Sequence, residues 1–204
     1  MIKSDNISDN KKHTTDPIYK SDNRNATATP HARLENRKLR LAILGAGGIA
    51  RKMAETVNQM EDVELYAVAS RTEEKARQFA DTYHASKWYG SYEEMVADDG
   101  IDLVYVATPH SHHKEHTMLC LNYNRAVLCE KAFAVNTKEA EDMIRLAKEK
   151  NILLAEAMWV RYMPMSFTLK EIIDSDVIGK ITGLTANLGY SPVSYTHLTL
   201  PTKR

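Results

Sequence analysis

The sequence predicts an α/β fold built on a doubly wound parallel sheet, and three observations carry that reading. Short apolar runs alternate with amphipathic segments from Leu39 to Ala155. The first run ends in a glycine-rich turn, Gly45-Ala46-Gly47-Gly48. The alternation then continues through six strand-like runs, and strand alternating with helix is the pattern of a parallel sheet covered on both faces.

The elements follow in order. Leu39 to Leu44 reads as a buried strand, because a strand covered on both faces is apolar without alternation. Ile49, Met53, Val57 and Met60 recur at helical spacing and predict an amphipathic helix. Val63 to Ala69 is the second strand, and Ala76, Phe79, Ala80 and Tyr83 mark the second helix. A brief strand at Lys87 to Tyr89 and a short helix around Tyr92, Met95 and Val96 precede the apolar fourth strand, Leu103 to Ala107. His112 to Leu121 is read as helix and Ala126 to Cys129 as the fifth strand. Asn136, followed three residues later by Glu139, resembles a capping box. It opens a helix carrying Ala140, Met143, Ile144 and Ala147, and Ile152 to Ala155 is the sixth strand. Beyond Met158, Pro164 fits the first turn of a helix with Phe167, Ile172 and Ile173 on its apolar face. Ile181 to Leu188 alternates as a strand should.

Composition narrows the class. The 204 residues are 43% hydrophobic and 26% charged, as in an ordinary soluble globular protein. Net charge is zero, which gives no sign of nucleic acid or an anionic membrane as partner. No apolar run reaches the ~20 residues of a membrane span, and the start of the chain lacks the apolar core of a secretory signal. The two cysteines, Cys120 and Cys129, form no Cys-x-x-Cys pair, so a reducing cytoplasm is the expected setting. Residues 1–38 are polar and almost free of apolar side chains, and are expected to be a disordered tail.

The sharpest motif is Gly45-Ala46-Gly47-Gly48-Ile49-Ala50, a G-x-G-x-x-A pattern placed between a strand and a helix. That context is what makes it a dinucleotide-binding fingerprint of the Rossmann type. Gly45 permits the tight turn, Gly47 lets the backbone approach a pyrophosphate, and Ala50 allows close packing of helix on strand. The first amides of the helix, around Gly48 and Ile49, would hold the phosphates. At the end of the second strand, where an acidic residue would bond the ribose 2′-hydroxyl of NAD, stand Ser70 and Arg71. A guanidinium can pair with a 2′-phosphate, so NADP is favoured over NAD.

Cys129-Glu130-Lys131-Ala132-Phe133 resembles a motif of the glucose–fructose oxidoreductase/inositol dehydrogenase (Gfo/Idh/MocA) family. Ala107-Thr108-Pro109-His110 with His113 supports the same resemblance. Glu156-Ala157-Met158-Trp159-Val160-Arg161-Tyr162 is similar to the dimeric dihydrodiol dehydrogenase branch. The resemblance runs from about Leu39 to Gly189. It implies that Lys131 lies beside the nicotinamide and the reacting hydroxyl or carbonyl, where a cation would stabilise charge on oxygen or relay its proton. Ala132 stands where the family usually has Pro. Thr108, Pro109, His110, His113 and Glu130 are implied around cofactor and substrate. Trp159 and Arg161 would line the substrate side, or equally be a core Trp with a paired Arg. His112 and His116 lie four apart, as metal ligands on a helix can, but no nearby Asp or Cys completes a set, and no metal is expected.

The expected organisation is a Rossmann domain over 39–156, the truncated start of an α+β substrate domain over 157–190, and a non-native tail over 191–204. The resemblance implies a homo-oligomeric parent that is an NADP-dependent oxidoreductase acting on a sugar, polyol, diol or related carbonyl compound. The alternative is a catalytically silent NADP-binding regulator, since a fold alone does not prove chemistry. The 204-residue chain itself is expected to be an inactive fragment.

Overall fold

The computed structural model describes residues 37–187, and these divide between Ala155 and Glu156 into two compact units. Of the expected tail over 1–38, residues 1–36 fall outside the described residues, as does the expected tail over 191–204, while Arg37 pairs with Asp102 at 2.6 Å.

In the first unit six strands form one sheet: β1 (Leu39–Leu44), β2 (Val63–Ala69), β3 (Lys87–Tyr89), β4 (Leu103–Val106), β5 (Ala126–Cys129) and β6 (Leu154–Glu156). Their order is β3-β2-β1-β4-β5-β6, and the pairs β1–β2, β1–β4, β2–β3 and β4–β5 run parallel. The chain therefore lays down β1, β2 and β3 outward in one direction, returns to the middle, and lays down β4, β5 and β6 in the other. The reversal falls between β1 and β4, the place in such sheets where a crevice opens at the carboxyl ends of the strands.

The helices are α1 (Gly48–Val57), α2 (Glu73–Tyr83), α3 (Tyr92–Ala97), α4 (His113–Asn122) and α5 (Thr137–Glu149). Ala42 and Leu44 of β1, Val104 and Val106 of β4, and Val127 and Cys129 of β5 share one core with Met95 and Val96 of α3, Cys120 and Leu121 of α4, and Met143 and Ala147 of α5. Ile43 and Tyr105 alternate with that set along their strands and point to the other face, as the two-residue period requires. Full burial of each large aliphatic chain contributes roughly 1.5–3 kcal/mol.

The first helix buries Val57 as expected but departs from the rest of the expected apolar face. It buries Ala50, Ala54 and Val57, while Ile49 and Met60 are exposed. Small residues four apart let the helix axis come close to the sheet, which is the packing that the alanine of the glycine motif serves. The edge strand β3 is fastened by Asp98, which accepts from Lys87 Nζ at 2.7 Å, Tyr89 Oη at 2.6 Å and the Gly100 amide at 2.9 Å. Burial pushes this carboxyl up, but those donors outweigh it and hold it well below the usual carboxylate range.

The second unit holds a 3-10 turn at Trp159–Tyr162 and helix α6 (Pro164–Asp174), with Pro164 in its first turn as expected. Phe167, Ile172 and Ile173 are exposed rather than covered. Over the described part of the expected strand at Ile181–Leu188 no strand forms. A strand needs a neighbour for its ladder, and among the described residues of this unit there is none. No described helix is long and apolar enough to cross a membrane.

Candidate functional site

Four chain segments leave the carboxyl ends of adjacent strands: Gly45–Gly48 after β1, Ser70–Arg71 after β2, Thr108–His110 after β4, and Glu130–Ala132 after β5. The sheet order places the first and third of these on either side of the reversal.

The glycine turn begins inside the sheet ladder, with the Gly45 amide on the Ala69 carbonyl at 2.9 Å. Gly45 has φ +104°, and a Cβ there would stand 2.9 Å from Thr108 Cγ2 and 3.2 Å from the Ala107 carbonyl. Only glycine fits, both for its backbone angle and for the close approach of the β4 loop. Gly47 then precedes α1 without any side-chain cap, and the first turn of α1 holds no acidic residue. The first bond back into the helix runs from the Arg51 amide to the Gly47 carbonyl at 3.3 Å. The amides of Gly48, Ile49 and Ala50 lie ahead of it and have no intrahelical acceptor. A Cβ on Gly48 would meet nothing within 4 Å, so this helix end opens onto free space.

The segment after β2 has Ser70 buried and Arg71 exposed. The Ser70 amide donates to the Tyr89 carbonyl at 3.2 Å, which fixes the start of the turn. Burial pushes the Tyr92 hydroxyl above its ordinary value, and the nearby Arg71 charge opposes that shift.

After β4, Thr108 is buried, while Pro109 and His110 are exposed at the loop's tip. Thr108 Oγ1 lies 2.9 Å from His116 Nδ1. Burial lowers the His116 pKa, with Glu115 opposing. His112 and His116 stack nearly parallel, 5.6 Å between ring centroids. His113, read from the motif as a site residue, has no exposed surface, and both its ring nitrogens face main-chain oxygens.

After β5, Glu130 is buried and Lys131 exposed. One Glu130 oxygen accepts a short hydrogen bond from Tyr105 Oη, and the other accepts from the Lys131 amide at 3.0 Å. The peptide bond between Lys131 and Ala132 is cis. Burial, then the bond to Glu130, drives the Tyr105 hydroxyl far above its ordinary value, so it stays a donor. Tyr105 escaped the sequence reading although a signal was there. A tyrosine inside the aliphatic strand Leu103–Val106 must find a partner for its buried hydroxyl.

Trp159 and Arg161 belong to the second unit, both on its exposed 3-10 turn. The Arg161 amide bonds the Met158 carbonyl at 2.9 Å, within the turn.

The chemistry of this donor set suits an anionic dinucleotide. Three uncommitted amides, a helix end without acid and a glycine facing open space fit a pyrophosphate. An exposed guanidinium one strand away fits a further phosphate.

Comparison with known proteins agrees with this reading. The sequence profile described as "Oxidoreductase family, NAD-binding Rossmann fold" (Gfo/Idh/MocA) matches residues 39–158. A D-xylose 1-dehydrogenase (NADP(+)) from Hypocrea jecorina is 41% identical over 162 residues, covering 74% of this chain and 41% of that protein. A trans-1,2-dihydrobenzene-1,2-diol dehydrogenase from Mus musculus is 36% identical over 154 residues, covering 74% of this chain and 46% of that one. Among solved structures, a 3-ketoreductase from Actinomadura kijaniata in complex with NADP and TDP-benzene superposes with a TM-score of 0.65 at 26% identity. That match covers 71% of this chain and 44% of the other. The chain spans less than half the length of the relatives it matches.

Proposed function

The chain belongs to the Gfo/Idh/MocA oxidoreductase family with its NAD-binding Rossmann fold, and from that membership we propose that it is the cofactor-binding part of an NADP-dependent oxidoreductase. Its substrate class is a sugar, polyol, diol or related carbonyl compound, as the names of its relatives suggest. The observation that carries the reading is the uncapped, acid-free start of α1 opening onto free space, its glycine turn packed against Ala107 and Thr108 at the end of β4.

In this reading the amides of Gly48, Ile49 and Ala50 hold the pyrophosphate, aided by the positive end of the helix dipole. Gly45 and Gly47 keep the turn low enough for that approach. Ser70 and Arg71 take the 2′-phosphate. Thr108, Pro109 and His110 border the nicotinamide from the β4 side, and His113 holds their loop from beneath. Glu130, held by Tyr105, fixes the Lys131 amide and so the start of the lysine side chain. Lys131 then places its ammonium against the reacting oxygen, where it stabilises developing negative charge or passes a proton. The nicotinamide supplies the hydride acceptor or donor.

Two variants test this. Arg71→Ala is expected to weaken NADPH binding by about 1.5–3 kcal/mol, the range for losing a hydrogen bond to a charged group. NADH binding should hardly change. Fluorescence titration of both cofactors checks it, and equal affinities in the unaltered chain would end the NADP assignment. Lys131→Ala, measured in the active enzyme, is expected to lower turnover by about 100-fold or more while leaving cofactor affinity within about twofold. Unchanged turnover would remove Lys131 from the reaction.

A further inference from the structure

His116 is buried one turn into α4, and among the described residues it joins no group of metal ligands. Its Nδ1 lies 2.9 Å from Oγ1 of Thr108 in the loop after β4. The ring is held on two sides. Tyr92 of α3 meets it edge-on, 4.8 Å between centroids, and His112 stacks on it at 5.6 Å. Thr108 in turn presents its methyl to the glycine turn, with Cγ2 2.9 Å from the point where a Cβ on Gly45 would stand. One side chain thus faces His116 with its hydroxyl and Gly45 with its methyl. Threonine has three staggered positions about χ1, and only one puts both groups on those partners. Either of the others takes a buried hydroxyl away from the imidazole nitrogen and lifts the methyl off Gly45. The contact does not depend on the tautomer, because a hydroxyl can donate to a ring nitrogen or accept from it. His113, three residues earlier on the same helix face, places Nε2 2.9 Å from the Thr108 carbonyl oxygen. One turn of α4 therefore grips both the main chain and the side chain of Thr108.

We propose that His116 is a positioning residue for the cofactor site, a latch that holds Thr108 in the rotamer whose methyl seats the glycine turn. That turn runs straight into α1 and its uncommitted amides. The latch lies outside the set of groups that would touch a dinucleotide and acts on them through one threonine. Its rigidity comes from α3 and from the 3-10 turn ahead of α4, which supply the rings of Tyr92 and His112. The latch rests on the proposed function for its consequence, tighter NADPH binding, while the rotamer itself is read without cofactor.

The test combines NADPH titration of the 204-residue chain with methyl NMR of Thr108, whose three-bond couplings report χ1. A single Thr108 rotamer is expected in the unaltered chain. His116→Phe keeps a ring between Tyr92 and His112 but removes Nδ1. It is expected to let χ1 average and to weaken NADPH by about three- to tenfold, the net worth of one hydrogen bond. His116→Asn returns an amide group at the place of Nδ1 and is expected to restore the single rotamer, with affinity within about twofold. Thr108→Val keeps the volume and loses the hydroxyl; it should weaken NADPH equally, and it stands in for His116→Phe should that variant not fold. The double variant should bind no more weakly than either single one, because both break the same contact. A merely structural histidine would lower stability in His116→Phe and leave both the rotamer and the affinity of the folded chain unchanged. That result, or a failure of asparagine to rescue, would overturn the proposal. A rotamer fixed by His116 in a chain that binds no NADPH would keep the latch and sink the cofactor reading. NADPH bound equally by the unaltered chain and by His116→Phe would do the reverse.

Discussion

Two helices of the first unit begin in opposite ways. At α5 the Asn136 side chain accepts from the Glu139 amide at 2.9 Å, and Glu139 sits in the first turn. At α1 no side chain caps the start, no acid occupies the first turn, and Gly48 faces open space. Both ends carry the same orphan amides and the same partial positive charge. At α5 the chain supplies the partner and closes the end. At α1 the amides are left for a partner from outside, and the physics of that end selects an anion. Lack of a cap is not enough by itself. Helix α2 is also uncapped, but Glu73 and Glu74 fill its first turn with negative charge. What sets α1 apart is the conjunction of no cap, no acid and no side chain in the way.

The largest expected effect breaks the α1 end outright. Gly45→Val puts a β-branched residue at φ +104° and drives its Cβ into Thr108 Cγ2 and the Ala107 carbonyl. We expect a loss of about 2–4 kcal/mol in stability from strain and overpacking, together with loss of NADPH binding. Urea denaturation followed by circular dichroism measures the first, and an unchanged midpoint would show that the turn yields more easily than its geometry implies.

A subtler change sharpens the comparison by making α1 resemble α2. Gly48→Asp has room for its side chain, since nothing lies within 4 Å of the new Cβ. A carboxylate at a helix N-terminus stabilises by about 0.3–1 kcal/mol. The same charge should repel a pyrophosphate and weaken NADPH by about tenfold or more, ~1.4 kcal/mol. Stability and binding are thus expected to move in opposite directions. If both fell together, the open end would be a structural necessity and not a ligand site.

Much of this contrast was legible in the residues. The Asn136–Glu139 spacing announced the closed end, and Gly45-Ala46-Gly47-Gly48 announced the open one. Both are local signals, set by chemistry within a few residues. What escaped depends on contacts far along the chain. The apolar spacing of α1 pointed to Ile49, Met53, Val57 and Met60, and of these Val57 is buried, but proximity to the sheet selected Ala50 and Ala54 in place of Ile49 and Met60. Tyr105 and Glu130 meet across 25 residues, and no local pattern pairs them. His113 was legible as a motif residue, but its two carbonyl partners come from different loops. Over 181–187, the described part of the expected Ile181–Leu188 strand, none forms for the same reason: alternation describes a face, while a strand also needs a neighbour.

The smallest expected effect tests the closed end. Asn136→Ala removes the oxygen that accepts from the Glu139 amide and leaves that donor to water. Because Asn136 is exposed, water can replace part of the bond, and the cost is set by what a cap contributes, about 1 kcal/mol. Asn136→Gly should cost only a few tenths, because glycine leaves the amide open to solvent and tolerates the extended backbone of a cap position. The ordering of the two variants isolates the cap from a general loss of packing, which would hurt glycine at least as much as alanine. NADPH affinity should stay within about twofold in both, since α5 already meets its own needs. Paired denaturation and titration curves check this. A cofactor affinity that fell with the α5 cap would mean that the two helix ends are coupled, and the division between a closed end for stability and an open end for ligand would not hold.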